Sequence, residues 1–263
     1  MLKNLLLSKV LFIVTGTLSV IAGGLGVLNP EIYDPVAPDR IIPGIFTQDL
    51  FVAASSIFMI VLAAMTGTND IRKFIINCGV LGFLFYAYGI YTIEQIYTPL
   101  YPIYLAILSL SFFTLATSIS SLNCSAVERL HLPSWVRYSS AGYGVFIAVM
   151  FNFIWFSQLI PLLQTGNRIE YLFSVYIIDL VFIMPSFVIA AILLIRNRAV
   201  GIVALPALFI VGVGILGPLA LAELIKPSRY DIPINVGELQ LYGLLTLSFL
   251  IFSIVYLIAL DKD

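Results

Sequence analysis

Apolar residues run through this chain in eight long blocks divided by short polar breaks. A window of about 19 residues places the blocks at 9–29, 47–66, 75–97, 100–120, 140–162, 171–195, 199–224 and 239–260. Each is long enough, as a helix, to cross a hydrocarbon core of about 30 Å. The softest boundary lies between the third and fourth blocks, where Pro99 and Pro102 interrupt a nearly continuous apolar tract. Proline opens a helix well but ends the preceding one, so a tight turn is expected there. The longest polar breaks, 29–46, 121–138 and 226–238, leave no room for a soluble domain. The expected fold class is all-α, a polytopic membrane protein with eight transmembrane helices.

Composition agrees. Hydrophobic residues make up 61% of the chain, charged residues 10%, and mean hydropathy is +1.07. Soluble domains carry about 25% charged residues. The N-terminus has the outline of a signal peptide, with Lys3 and Lys9 ahead of an apolar run from Val10 to Leu28. That run is of spanning length and is followed by seven more, so it reads as a retained first helix. Basic residues near the helix ends set the orientation. With the N-terminus inside, one side holds Lys3, Lys9, Arg72, Lys73, Arg129, Arg137, Arg196, Arg198 and Lys262, and the other Arg40, Arg168, Lys226 and Arg229. The bias predicts a cell-membrane protein with both termini cytoplasmic and an acidic outer surface.

The two halves look alike. Asp49 in the second block and Asp179 in the sixth are offset by 179 − 49 = 130. Glu94 and Glu223 close the third and seventh blocks, offset by 223 − 94 = 129. Leu108-Ser109-Leu110-Ser111-Phe112 resembles Leu245-Thr246-Leu247-Ser248-Phe249, and Arg40 and Arg168 precede the two acid pairs. An even number of spans per half gives both halves the same orientation, hence two parallel four-helix repeats, 1–125 and 126–263, about an axis along the membrane normal.

The chemistry concentrates at 82–100, GFLFYAYGIYTIEQIYTPL. A carboxylate at mid-bilayer costs roughly 2.5–3.5 kcal/mol on the insertion scale, less near the interface, and phenol hydroxyls are suitable donors to offset it. At 1.5 Å per residue, Asp179 lies about 25 Å from Arg196, and Asp49 equally far from the inner end of its span. Glu94 and Glu223 end helices running outward. The expected site is therefore an outward-facing polar cavity lined by Asp49, Asp179, Glu94 and Glu223, with Arg40 and Arg168 across its mouth. Tyr88, Tyr91 and Gln95 follow a three-then-four spacing and would share one helix face on it. Such a cavity suits a small molecule, a proton or a cation. Against this stand plainer roles: Asp49 as a helix-start residue after Thr47, Asp179 as an interhelical hydrogen bond, and both glutamates as interface markers. Tyr97, Tyr101 and Tyr104 fit an interfacial aromatic belt. Asn152, Trp155 and Gln158 form a polar stripe on the fifth span. Pro185, Pro206 and Pro218 are expected to bend the sixth and seventh.

Several classes are excluded by what is missing. His131 is the only histidine, so multi-histidine zinc and bis-histidine haem sites cannot form within one chain. A serine protease lacks its base, no mid-span lysine offers a Schiff base, and no phosphate-binding glycine motif occurs. Cys78 and Cys124 form no CxxC, and Asn123-Cys124-Ser125 is a sequon on the predicted inner side. No basic run invites nucleic acid. No metal, cofactor or catalytic residue is expected. The partner expected is the lipid bilayer, with a small-molecule, proton or cation ligand. The leading function is binding or transport; the alternatives are a membrane enzyme acting on a lipid or isoprenoid and a non-catalytic complex subunit.

The stretch 47–122 resembles a family of uncharacterised prokaryotic multi-pass membrane proteins. The motifs are Gln48-Asp49-Leu50 opening a span, Phe85-Tyr86-Ala87-Tyr88-Gly89 in the next, and Asp179-Leu180 followed by Pro185 in a later one. The family pattern often has a histidine shortly before the later Asp-Leu; here Val175, Tyr176 and Ile177 stand there. The resemblance implies a multi-pass fold and no activity.

Overall fold

The structure is a computed structural model that describes residues 1–260; Lys262, counted above for orientation, lies outside them. Among the described residues, eight helices are long and apolar enough to cross a membrane: α1 (Leu5–Leu28), α2 (Ile42–Met65), α3 (Ile71–Ile93), α4 (Tyr101–Ser120), α5 (Ser134–Thr165), α6 (Phe173–Ile195), α7 (Ala199–Arg229) and α8 (Val236–Ala259). Among the described residues there is no strand, only an isolated bridge between Leu2 and Leu122.

α3 and α7 form the centre, with 83% and 67% of their most apolar windows buried, against 11% for α5 and 17% for α8. They can lie close because glycine faces the partner. A Cβ on Gly79 would stand 2.6 Å from Ile210 Cβ, and one on Gly214 2.5 Å from the Phe83 ring. In lipid, helix association relies on such packing rather than on apolar burial. α1 and α2 pack by the same logic. Gly16 of α1 lies against Met59 and Ile60 of α2, Gly23 against Val52 and the Asp49 carbonyl, and Gly26 against the Asp49 carboxylate.

Around this centre α1 packs on α2, α3 on α4, α5 on α6 and α7 on α8, while α2 reaches across to α7 and α6 to α3. Matching α1–α4 with α5–α8 in order carries this set of pairings onto itself. α1 and α4 pack along their lengths; the corresponding α5 and α8 touch more lightly, through Tyr143 with Ser248 and with the Phe249 and Phe252 rings.

Both described ends lie at one end of the bundle. Leu2 and Lys3 N–H groups donate to the Thr68 and Ser121 carbonyls, and the Arg72 guanidinium caps α8 at the Leu260 carbonyl. The loops 29–41, 94–100, 166–172 and 230–235 gather at the opposite end.

The end of α3 and the interior of α6 depart from the sequence expectation. α3 stops at Ile93, not 97, because the chain turns sharply ahead of Pro99: Gln95 has φ 57° and lies in the left-handed region. α6 contains a π turn at Asp179–Ile183, where the Met184 N–H bonds the Asp179 carbonyl five residues back. Pro185 follows at once and has no N–H to continue the ordinary ladder. π turns inside α-helices concentrate at functional sites.

Candidate functional site

At the end opposite the described termini, a cavity of about 480 Å³ opens between the halves. It is bounded by α2, α3, α5, α6, α7 and α8, and falls in the size range of small-molecule pockets, about 300–1,000 Å³. Its floor is apolar, formed by Ile147, Phe151, Ile183, Met184, Phe187 and Phe249. Its mouth is polar, with Arg40, Glu94, Gln158, Glu223, Lys226 and Glu238. The wall is thus graded from charged to greasy.

Asp179 stands on this wall, 5% exposed. The π turn positions it at the end of the first, short segment of α6. Its Oδ2 accepts the indole N–H of Trp155 at 2.8 Å, and the Tyr86 phenol hydrogen-bonds it from α3. Tyr176, which donates to Gln158 Oε1 at 2.7 Å, packs edge-on against Trp155. A carboxylate that burial would otherwise penalise is met by an indole and a phenol.

Glu94 sits nearer the mouth. One oxygen accepts the Ser174 N–H at 2.7 Å; the other, Oε2, is buried and has no hydrogen-bond partner. Ser174 precedes Asp179 by five residues on α6, so Asp179 lies about 7–8 Å deeper. Glu223 is 2% exposed and already engaged: Lys226 binds one oxygen and the Asn235 N–H donates to the other at 2.9 Å. The basic residues of the rim also have partners. At the rim Arg40 lies 6.0 Å from the Tyr171 ring centroid, and Arg229, which does not line the cavity, sits over the Phe46 ring at 3.9 Å.

Asp49 does not belong to this cavity. It is 1% exposed, two turns inside α2, and so caps nothing. Tyr33 donates to its Oδ2 at 2.6 Å and Tyr91 to its Oδ1 at 2.9 Å. The Tyr33 hydroxyl lies 3.2 Å from that of Tyr104, which in turn accepts from Thr98 at 3.1 Å. Tyr33 is outside the spans; burial first, then the neighbouring Tyr91 and Asp49, push its hydroxyl far above the ordinary phenol range, which keeps it a donor. Gly26 of α1 makes the space: a Cβ there would lie 1.9 Å from Asp49 Oδ2 and 2.6 Å from the Tyr33 oxygen. Tyr91 alone of this cluster also borders the cavity, as a partition between the two acids' compartments.

The structure thus brings Asp179, Glu94, Glu223, Tyr91 and Arg40 to one cavity and leaves the other candidates apart. Tyr88 is fully buried in the aromatic cluster beside Tyr91 and Tyr104, off the cavity wall. Gln95 is exposed beyond the end of α3, so the stripe of Tyr88, Tyr91 and Gln95 ends at Tyr91. Arg168 is exposed in the loop before α6 and does not line the mouth. Tyr104 is in the core rather than in an interfacial belt, while Tyr97 is 59% exposed. Of the α5 stripe, Trp155 and Gln158 line the cavity and Asn152 bonds its own helix at the Ala148 carbonyl. Tyr33 carried no sequence signal: it lies in a polar break, and only its contact with Asp49 reveals it. Among the described residues no cluster of His, Cys, Asp or Glu has the make-up of a metal site.

No family model, curated protein or solved structure matches the chain.

Proposed function

We propose that the protein is a membrane-embedded binding and transport protein that admits a small amphipathic molecule to the cavity between its halves. The observation that carries this reading is the graded wall: charged groups at the mouth, Asp179 part-way down, and an apolar floor. A floor of Ile, Met and Phe favours burying an apolar body, and the few polar groups above it fix orientation. Two parallel four-helix repeats, 1–125 and 126–263, fit the paired acids and the self-mapping helix contacts. In this scheme the termini are cytoplasmic, the cavity faces outward, and alternating access comes from one half rocking against the other. Asp179 and Glu94, the unpaired acids of the cavity, offer a place for proton or cation coupling.

A second reading rests on α5 and α8. They touch through Tyr143, yet Trp155 and Tyr242 of the same two helices both line the cavity. A path for lipid between them would suit an enzyme acting on a lipid or isoprenoid.

Single cysteines in a background lacking Cys78 and Cys124 separate the readings. Gly44 is at the mouth, with open space beside it, and Ile215 lies eight residues below Glu223 on α7, about 12 Å deeper. A charged methanethiosulfonate added to intact cells is expected to modify cysteine at 44 and 215 but not at buried Ser56. Transport further requires that Ile215→Cys become reactive from the cytoplasmic side of inverted vesicles. An enzyme without alternating access stays silent there. An unreactive Ile215→Cys from both sides refutes the cavity.

A further inference from the structure

The charges around the cavity are not evenly satisfied. Its lining holds two cationic side chains, Arg40 and Lys226, against four acidic ones, Glu94, Asp179, Glu223 and Glu238. Lys226 is taken by Glu223 and Arg40 lies against Tyr171. Glu238 hydrogen-bonds Glu223 at the mouth, which leaves Asp179, held only by neutral donors, and Glu94, whose buried Oε2 has no partner. An unpartnered buried acceptor on a residue that lines the cavity calls for a donor from outside the chain.

The walls around Asp179 say what kind. Trp155, Tyr86 and Tyr176 surround it with aromatic surface, and cations are attracted to such ring faces. A hard metal ion needs several oxygen ligands at once, whereas everything below Asp179 is aliphatic or aromatic. A carboxylate ligand would face unpaired acids of its own sign. On the binding-cavity reading above, we propose that the occupant is an organic cation, an amine or quaternary ammonium with an apolar body. Glu94 meets the charged head at the mouth. Asp179 holds it one to two helical turns deeper, against the aromatic wall, while the body fills the floor.

The test uses the full chain in lipid nanodiscs. Trp135→Phe removes the exposed indole and leaves Trp155 as a reporter inside the site. Two probes are titrated: 4-phenylbutyl-trimethylammonium and its neutral isostere, in which tert-butyl replaces trimethylammonium. The expected result is a saturable Trp155 fluorescence change with the cation at a Kd at least about ten-fold below that of the isostere, a gap typical of charge-assisted contacts. Asp179→Asn keeps an acceptor for Trp155 and is expected to erase that preference; Asp179→Glu restores part of it. Glu94→Gln, a second variant at an independent position, is expected to weaken the cation alone. Equal affinity for both probes, with Asp179→Asn neutral, overturns the cation assignment while leaving the cavity standing. So does the absence of any saturable change in a protein whose Ile215→Cys variant is labelled. Failure of that labelling overturns the cavity itself.

Discussion

Gly26→Ala is expected to cost several kcal/mol of stability and to lower the thermal midpoint of the detergent-solubilised protein sharply. The new methyl carbon would sit 1.9 Å from Asp49 Oδ2 and 2.6 Å from the Tyr33 oxygen, well inside contact distance. Neither group can retreat cheaply, because Asp49 is held by Tyr91 on its other oxygen and Tyr33 leans on Tyr104. Overpacking costs about 1–3 kcal/mol on its own. Displacing Tyr33 adds the penalty of a buried bond left unmade, about 1–3 kcal/mol more. Gly24, two residues earlier on α1, provides the control. A Cβ there meets nothing within 4 Å, so Gly24→Ala should leave stability unchanged or slightly raised. Equal effects at the two positions would mean that Asp49 is not where the structure puts it.

Asp49→Ala is expected to be comparably damaging, by roughly 2–5 kcal/mol, for the opposite reason: it opens space and removes the acceptor of two phenols. Tyr33 keeps Tyr104, but Tyr91 is left with only the Ile45 carbonyl at 3.4 Å. Asp49→Asn retains one acceptor and should cost about half as much. A double-mutant cycle with Tyr33→Phe, read by thermal unfolding, should show strong coupling. Independent, additive effects would contradict the cluster. Ligand affinity at the cavity should change little in any Asp49 variant that folds.

How much of this was legible in the residues differs by level. The eight spans follow directly from apolar run length, because hydrocarbon thickness admits few alternatives. The polar ends blur, since interface residues belong as readily to helix as to loop: α5 begins at Ser134 and α7 runs to Arg229, beyond the apolar blocks. The acids could be picked out because a carboxylate within a span is costly and needs an account. Which way each one points could not be picked out. Asp49 and Asp179 each precede a leucine within a span, yet one is closed in by Tyr33 and the other borders open space. The difference lies in contacts distant along the chain: Tyr33 arrives from a loop over Gly26, whereas Trp155 arrives from α5. Helical spacing placed Gln95 on the Tyr91 face, and the turn ahead of Pro99 removed it. The π turn at Asp179 was foreshadowed only by Pro185, whose position gave the bend but not its form.

These differences amount to a division of labour between two acids set in similar sequence. Asp179, with Glu94, faces a compartment open to small molecules; Asp49 is a closed structural element. Carbodiimide modification of the native protein in membranes, followed by peptide mass spectrometry, addresses that division without any substitution. Adducts are expected at Asp179 and Glu94, formed at least about ten times faster than at Asp49, in keeping with the steep dependence of reaction on access. Adducts at Asp49 at a matching rate, or none at Asp179 in folded protein, would contradict it.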